Sequence, residues 1–106
     1  MIRHIVLFTA KSPEHLPAIL DGLALLGTIP HVGHFEVTEN SRVDQIGNDI
    51  DVVVYAEFES EAALKAYKAH PIYADATRLV RPLRELRFAA DVSASEAAVA
   101  LFRRSA

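Results

Sequence analysis

The sequence contains no cysteine, and its four glycines are scattered among 106 residues. Without cysteine the chain forms no disulfide bond and offers no thiolate to a metal ion. The glycines at positions 22, 27, 33 and 47 do not form the glycine-rich loop that holds phosphate groups. These absences exclude disulfide scaffolds, thiolate metal sites and nucleotide-binding loops of that kind.

An excess of one charge and long apolar runs are also absent. Lys and Arg number 11 and Asp and Glu 14, a formal net charge of −3, and no basic cluster with interleaved aromatic residues indicates a nucleic-acid surface. No apolar run has the length of a membrane span, and the opening MIRHIVLF is too short and too polar for a signal peptide. We therefore expect a cytoplasmic, single-domain protein that binds neither nucleic acid nor membrane.

The five histidines of the chain are candidate ligands for a metal ion. None of them has the HExxH spacing of a zinc site. Only His31 and His34, on either side of a predicted turn, are close enough in sequence to share an ion. We predict no metal and no other cofactor.

What the sequence does contain is a regular alternation of strand and helix patterns. Period-two alternation with β-branched and aromatic residues predicts four strands, at residues 2–8, 34–38, 50–58 and 86–92. Apolar residues at helical spacing predict three helices, at 16–26 after the start signal Ser12-Pro13-Glu14, at 61–69 after a capping Ser60, and from 71 to about 84. The polar stretch 39–49, with Gly47, is predicted to be a loop.

This order of elements predicts an α+β, ferredoxin-like split βαβ fold, in which a four-stranded antiparallel sheet carries helices on one face. Alternation leaves the opposite face apolar, with Ile5, Leu7, Val53, Tyr55, Phe88 and Ala90. Such a surface is too apolar to remain in contact with water. We expect a second copy to cover it, which gives a two-fold homodimer.

The segment 61–73, EAALKAYKAHPIY, organises the second half of the chain. Pro71 lacks a backbone donor and forces the preceding residue out of the helical region. The helix should therefore break at His70 and restart at a new angle, which makes Tyr67 and Tyr73 neighbours. A helix–turn–helix corner with both tyrosines as packing residues is the alternative.

Several segments together resemble the stress-responsive dimeric α/β-barrel (Dabb) family. They are the opening IRHIVLF, the glycine-bearing loop before a hydrophobic strand, Glu57-Phe58-Glu59-Ser60, and the run 66–71, AYKAHP. The resemblance covers residues 1–92 and implies a ferredoxin-like protomer whose dimer closes a barrel between two sheets. Residues 93–106 lie outside it and are predicted to be a helical tail, alanine-rich from 97 to 104 and preceded by the capping-box pattern Ser93-Ala-Ser-Glu96.

The family includes polyketide cyclases of the olivetolic acid cyclase type, and that resemblance implies site residues. The pocket tyrosine of these enzymes falls on Tyr67, a first-strand histidine on His4, and a last-strand aspartate on Asp91. The catalytic histidine that follows His-Pro by two residues is replaced here by Tyr73. A third-strand histidine of the cyclase pocket corresponds to Val52, so this chain lacks the evident general base of that branch.

We therefore predict a catalytic group of His4, Tyr67, Tyr73 and Asp91. The imidazole of His4, oriented by Asp91, accepts a proton, and Tyr67 donates a hydrogen bond to a carbonyl or enolate oxygen. Tyr73 adds a donor but is a poor base. The predicted substrate-binding residues are Val6, Phe8, Leu23, Val52, Leu64 and His70. Alternatively, His4 is a core histidine without a role in the site, which is an equally open interpretation. The alternative for His70 is a role limited to the turn.

Three functional hypotheses remain open on sequence grounds. The first is a pocket protein that binds a small apolar or aromatic carbonyl compound, with weak cyclase-like or lyase-like chemistry. The second is a non-catalytic, stress-protective structural dimer. The third, a cofactor-independent oxygenase or isomerase, rests on fold analogy alone. Whether the protein is an enzyme stays open among them.

Overall fold

The structure is a computed structural model that describes residues 1–96, and residues 97–106 lie outside the described part. The predicted tail helix at 97–104 falls in that segment. The strands and helices are β1 (Ile2–Ala10), α1 (Leu16–Ala24), β2 (His34–Glu39), β3 (Val52–Phe58), α2 (Glu61–Ala69), α3 (Pro71–Val80) and β4 (Arg84–Ser93). Short 3₁₀ turns cover Pro13–His15, Leu25–Thr28 and Ala94–Glu96. Within residues 1–96, no helix has the length and apolarity needed to cross a membrane.

The four strands form one antiparallel sheet in the order β2-β3-β1-β4. This is the predicted ferredoxin-like split βαβ arrangement. The central strands β1 and β3 alternate as expected, because every second residue of β3 from Val52 to Phe58 is buried. His4, Val6 and Phe8 of β1 are buried on the same side. The core therefore lies between this face and the helices, which contribute Ile19, Leu23, Tyr67, Ala76 and Val80.

The opposite face of the sheet remains uncovered in the single chain. Ile5, Leu7, Val53 and Tyr55 are only half-buried. Phe88 of the edge strand β4 is 54% exposed, and Leu86 and Val92 beside it are also exposed. We call this surface of β1, β3 and β4 the outer face. Its apolar character agrees with the prediction made from strand alternation.

The ends of α1 and α3 differ from the sequence prediction. The helix α1 begins at Leu16 as predicted, after a 3₁₀ turn at Pro13–His15 and without a side-chain capping bond from Ser12, but it ends at Ala24. The helix α3 ends at Val80 rather than near residue 84, because Pro82 has no amide hydrogen with which to extend it. A turn follows, in which Leu83 N donates to Val80 O over 2.9 Å. On this helix Leu79 is exposed, whereas Ala76 and Val80 are buried.

The break between α2 and α3 occurs at His70, as predicted. His70 has extended backbone angles, φ −69° and ψ 141°, and is at once the last cap of α2 and the first cap of α3. Its Nδ1 accepts a hydrogen bond from Ile72 N over 3.2 Å. Pro71 occupies the first position of α3, where a missing amide hydrogen costs nothing. The imidazole and the proline together fix the angle between the helices.

We expect Pro71→Ala to loosen this corner and to displace Tyr73 more than Tyr67. Alanine lets α2 continue through residue 70. The loss of proline also increases the conformational entropy of the unfolded chain, which lowers the free energy of unfolding by about 0.4–1 kcal/mol. Thermal unfolding and the ring contacts of both tyrosines by NMR measure the effect. The control Pro30→Ala removes an exposed proline elsewhere and should leave the rings in place. Unchanged ring contacts in Pro71→Ala would show that His70 alone holds the corner.

Candidate functional site

A cavity of about 240 Å³ lies between the helix-side face of the sheet and the helix α3. Its apolar lining residues are Val6, Phe8, Leu23, Leu26, Val54, Ala76 and Val80. Its polar and charged lining residues are His4, Tyr67, Lys68, Tyr73, Thr77, Arg81, Arg84 and Arg87. The lining therefore combines apolar side chains with hydroxyl-bearing and cationic ones and one histidine.

His4 reaches the cavity from β1 with its tautomer fixed by Asp91. The two residues are direct partners in the β1–β4 ladder, so their side chains lie on the same face. His4 Nδ1 is 2.5 Å from Asp91 Oδ1, the histidine side chain is 2% exposed, and the aspartate side chain is 43% exposed. A carboxylate at Nδ1 assigns the imidazole hydrogen to that nitrogen, which leaves Nε2 as a proton acceptor.

Tyr67 is buried at the centre of an aromatic cluster. Its ring meets Phe58 edge-on with centroids 4.8 Å apart, Tyr73 at 5.3 Å and His4 at 6.3 Å. The contact with Tyr73 confirms that the helix break makes the two tyrosines neighbours. Burial raises the pKa of the Tyr67 phenol well above 10, and the nearby Tyr73 raises it further. Tyr67 is therefore a neutral hydrogen-bond donor throughout the physiological range.

The raised pKa of Tyr67 predicts a loss of stability in alkali. The folded chain holds this proton more tightly than the unfolded chain, so the free energy of unfolding falls as the pH rises above about 10. Tyr67→Phe lacks the proton and should show a smaller fall over the same range. Denaturant unfolding of both proteins at neutral and alkaline pH measures it, with Tyr73→Phe as the control. Equal losses in parent and Tyr67→Phe would contradict the assignment.

The structure brings together part of the predicted substrate-binding set. Val6, Phe8 and Leu23 line the cavity, whereas the other predicted members do not. Val52 is enclosed in the core at the end of β3, and Leu64 packs against that core from α2. His70 directs its Nδ1 to the backbone of α3, which is the turn role left open in the sequence. These last residues lie outside the cavity because packing and capping already occupy their side chains.

The histidines considered for metal binding do not converge. His34 Nε2 lies 2.9 Å from Glu36 Oε2, and the ring of His31 faces that of His70 with centroids 6.3 Å apart. Among residues 1–96, no group of three His, Asp or Glu side chains is arranged to hold a metal ion.

Sequence reasoning missed the cationic residues of the cavity. It singled out none of Lys68, Arg81, Arg84 and Arg87, although three of them recur at intervals of three in the run RPLRELR. A regular strand places residues three apart on opposite faces, so this run gave no signal of a shared site. The register of β4 explains the difference, because it shifts between Phe8, which pairs with Arg87, and Ala10, which pairs with Arg84.

That shift is a β-bulge, in which two residues of β4 stand opposite Thr9. Leu86 N donates to the hydroxyl of Thr9 over 2.9 Å, which satisfies an amide at the bulge. Because Phe8 and Ala10 share the helix-side face, their partners Arg87 and Arg84 share it too. Burial lowers the pKa of Arg84, and the neighbouring charges of Arg87 and Arg81 lower it further.

Comparison with known proteins gives a consistent picture of the fold. The sequence profile described as "Stress responsive A/B Barrel Domain" matches residues 2–94. Among curated proteins the chain has no match. A Dabb family protein with a ferredoxin-like fold from Mesorhizobium loti is 29% identical, with a TM-score of 0.73 over 87% of this chain and 94% of that one.

A dimeric ferredoxin-like protein of unknown function from Thermobifida fusca is 26% identical, with a TM-score of 0.74 over 87% of this chain and 89% of that one. An antibiotic biosynthesis monooxygenase has a TM-score of 0.67 over 89% of this chain and 98% of that one. At 17% identity this last similarity shows a shared fold.

Proposed function

Because the chain belongs to the stress-responsive A/B barrel domain family, we propose that it acts as a homodimer whose cavity binds a small carbonyl compound. The observation that carries this proposal is the convergence of two groups on one cavity. One is the His4–Asp91 pair, and the other is the phenol of Tyr67. An acceptor and a neutral donor beside apolar lining residues suit proton transfer next to a carbonyl group.

Homodimerisation through the outer face is supported by two observations. The outer face exposes Leu86, Phe88 and Val92, a grouping that rarely remains in water. The similar protein from Thermobifida fusca is dimeric. A second copy would place the apolar residues of the two sheets against each other and close a barrel between them.

The proposed chemistry is weak cyclase-like or lyase-like turnover. His4 Nε2 accepts a proton from the carbon next to the carbonyl, and the Tyr67 hydroxyl donates to the oxygen on which negative charge develops. Tyr73 lines the same cavity, but a phenol is a poor base at neutral pH. His4 is therefore the proposed base, and Tyr73 stands where the resemblance places the catalytic histidine of the cyclases.

An NMR titration with acetophenone, a neutral aromatic ketone, tests the proposed pocket. Cavities of about 150 Å³ already hold benzene, so we expect saturable shifts at amides around the cavity. Thr77→Phe should abolish them, because Thr77 is half-buried and lines the cavity. The matched control Ala74→Phe puts the same ring on an exposed position of α3 and should keep them.

The alternative functions are separated by the same titration and one further assay. If acetophenone, 4-acetylbenzoate and 4-acetylbenzamide all fail to produce saturable shifts, the pocket proposal fails. The non-catalytic structural dimer then takes its place. Oxygen consumption with a bound aromatic ligand would favour the cofactor-independent oxygenase. That alternative is otherwise supported by fold alone, through the 17% identical monooxygenase.

A further inference from the structure

We infer that the ligand of this cavity is an organic anion, with a carboxylate held by Arg84 and Arg87 and an apolar body against the apolar residues of the lining. The inference rests on the proposed function and specifies its substrate class. Four cationic side chains line the cavity, namely Lys68, Arg81, Arg84 and Arg87, and no Asp or Glu is among the lining residues. In a chain with a net charge of −3, this concentration of positive charge is local.

These cations have no carboxylate of their own within the described chain. The ion pairs of residues 1–96 are His4–Asp91, His34–Glu36, Arg42–Asp51 and Arg78–Asp75. None of them involves a cation of the cavity. The sequence of residues 97–106, AAVALFRRSA, also contains no Asp or Glu. A cluster of like charges without a counter-charge is unfavourable until an anion binds to it.

The positions of Arg84 and Arg87 suit the binding of a carboxylate. Arg84 and Arg87 reach the cavity from one face of β4 because the bulge brings them together. Two guanidinium groups offer planar pairs of N–H donors, which match the two oxygens of a carboxylate. The charge of Arg87 also acts on the phenol of Tyr67, whose pKa it lowers slightly against the larger effect of burial.

The register of the sheet sets the direction of the ligand. Arg87 stands opposite Phe8 and Asp91 opposite His4, and these β1 residues are separated by four steps of about 3.3 Å, roughly 13 Å along the strand. A carboxylate at the arginines therefore leaves the far end of the ligand directed to His4 and Tyr67. A para-substituted aromatic ring with a carboxylate at one end and a ketone at the other is a simple probe with this polarity.

Binding of 4-acetylbenzoate and of its neutral isostere 4-acetylbenzamide, measured by NMR titration on the full chain, tests the inference. We expect the acid to bind at least about tenfold more tightly than the amide, which corresponds to about 1.4 kcal/mol. The double variant Arg84→Gln/Arg87→Gln should reduce this preference to within twofold. The control Arg78→Gln removes an exposed arginine of α3 that pairs with Asp75 and should retain the preference.

Each other outcome has a definite meaning. Equal binding of acid and amide overturns the anion inference while the pocket proposal stands. A preference for the acid that survives in the double variant places the anion elsewhere and also overturns it. Complete displacement of the acid by an equal concentration of inorganic phosphate would indicate a general anion site without use of the apolar lining residues. Failure of acetophenone, acid and amide alike removes the pocket proposal itself.

Discussion

Val53→Asp is expected to convert the dimer into a folded monomer at micromolar concentration. Val53 lies on the outer face in the central strand β3, between its partners Leu7 on β1 and Thr38 on β2. In the proposed dimer the new carboxylate is buried without a counter-charge, at a cost of several kcal/mol. Since about 1.4 kcal/mol is a factor of ten, the dissociation constant should rise at least about a hundredfold. Sedimentation equilibrium measures it.

The matched control is Val43→Asp, in the loop between β2 and β3, where the valine is 86% exposed. It makes the same chemical change without touching the sheet and should leave the dimer intact. Circular dichroism verifies that the Val53→Asp monomer keeps its fold. An unchanged dimer in this variant would mean that the two copies meet through another surface.

A slow aldol closure that depends on His4 is the second large effect expected. With a linear triketone as substrate, His4→Gln should lower the rate by about a hundred- to ten-thousand-fold, the usual worth of general acid–base assistance. Glutamine keeps a polar side chain beside Asp91 but provides no basic nitrogen.

Tyr73→His introduces a basic side chain at the position that the resemblance to the cyclases assigns to their catalytic histidine. Tyr73 lines the cavity beside Tyr67, so an imidazole there is placed to act on the same ligand. We expect its rate to exceed that of the parent by up to about the same factor. Brisk cyclisation by the parent with no gain in Tyr73→His would refute this assignment of roles. If the parent, His4→Gln and Tyr73→His all fail to react, the cyclase hypothesis is wrong and binding remains as the function.

The sequence was sufficient for the fold because its signals are local and mutually consistent. Alternation in β1 and β3 fixed the buried face, and the His70-Pro71 pair fixed the helix break beside Tyr67. The His4–Asp91 pair came from a resemblance, since the two residues are far apart in the chain and only strand pairing joins them.

The cationic lining was not predictable in this way. Counting back by twos from Asp91 places Glu85 on the helix-side face, whereas the bulge puts Arg84 there instead. One extra residue, which periodicity does not register, thus replaces an acidic side chain with a basic one on this face. The end of α3 was also predicted too late. The apolar spacing continues past Pro82, but proline has no amide hydrogen with which to continue the hydrogen bonds of the helix.

The bulge in β4 also governs how this chain is to be aligned with its relatives. A relative with a regular fourth strand needs one residue fewer between the partners of Phe8 and Ala10. An ungapped alignment anchored on Asp91 would then match every residue before position 85 to a neighbour one place away. Roles assigned to Tyr67 and Tyr73 by counting from the last strand would be displaced, so the gap belongs at residues 85–86.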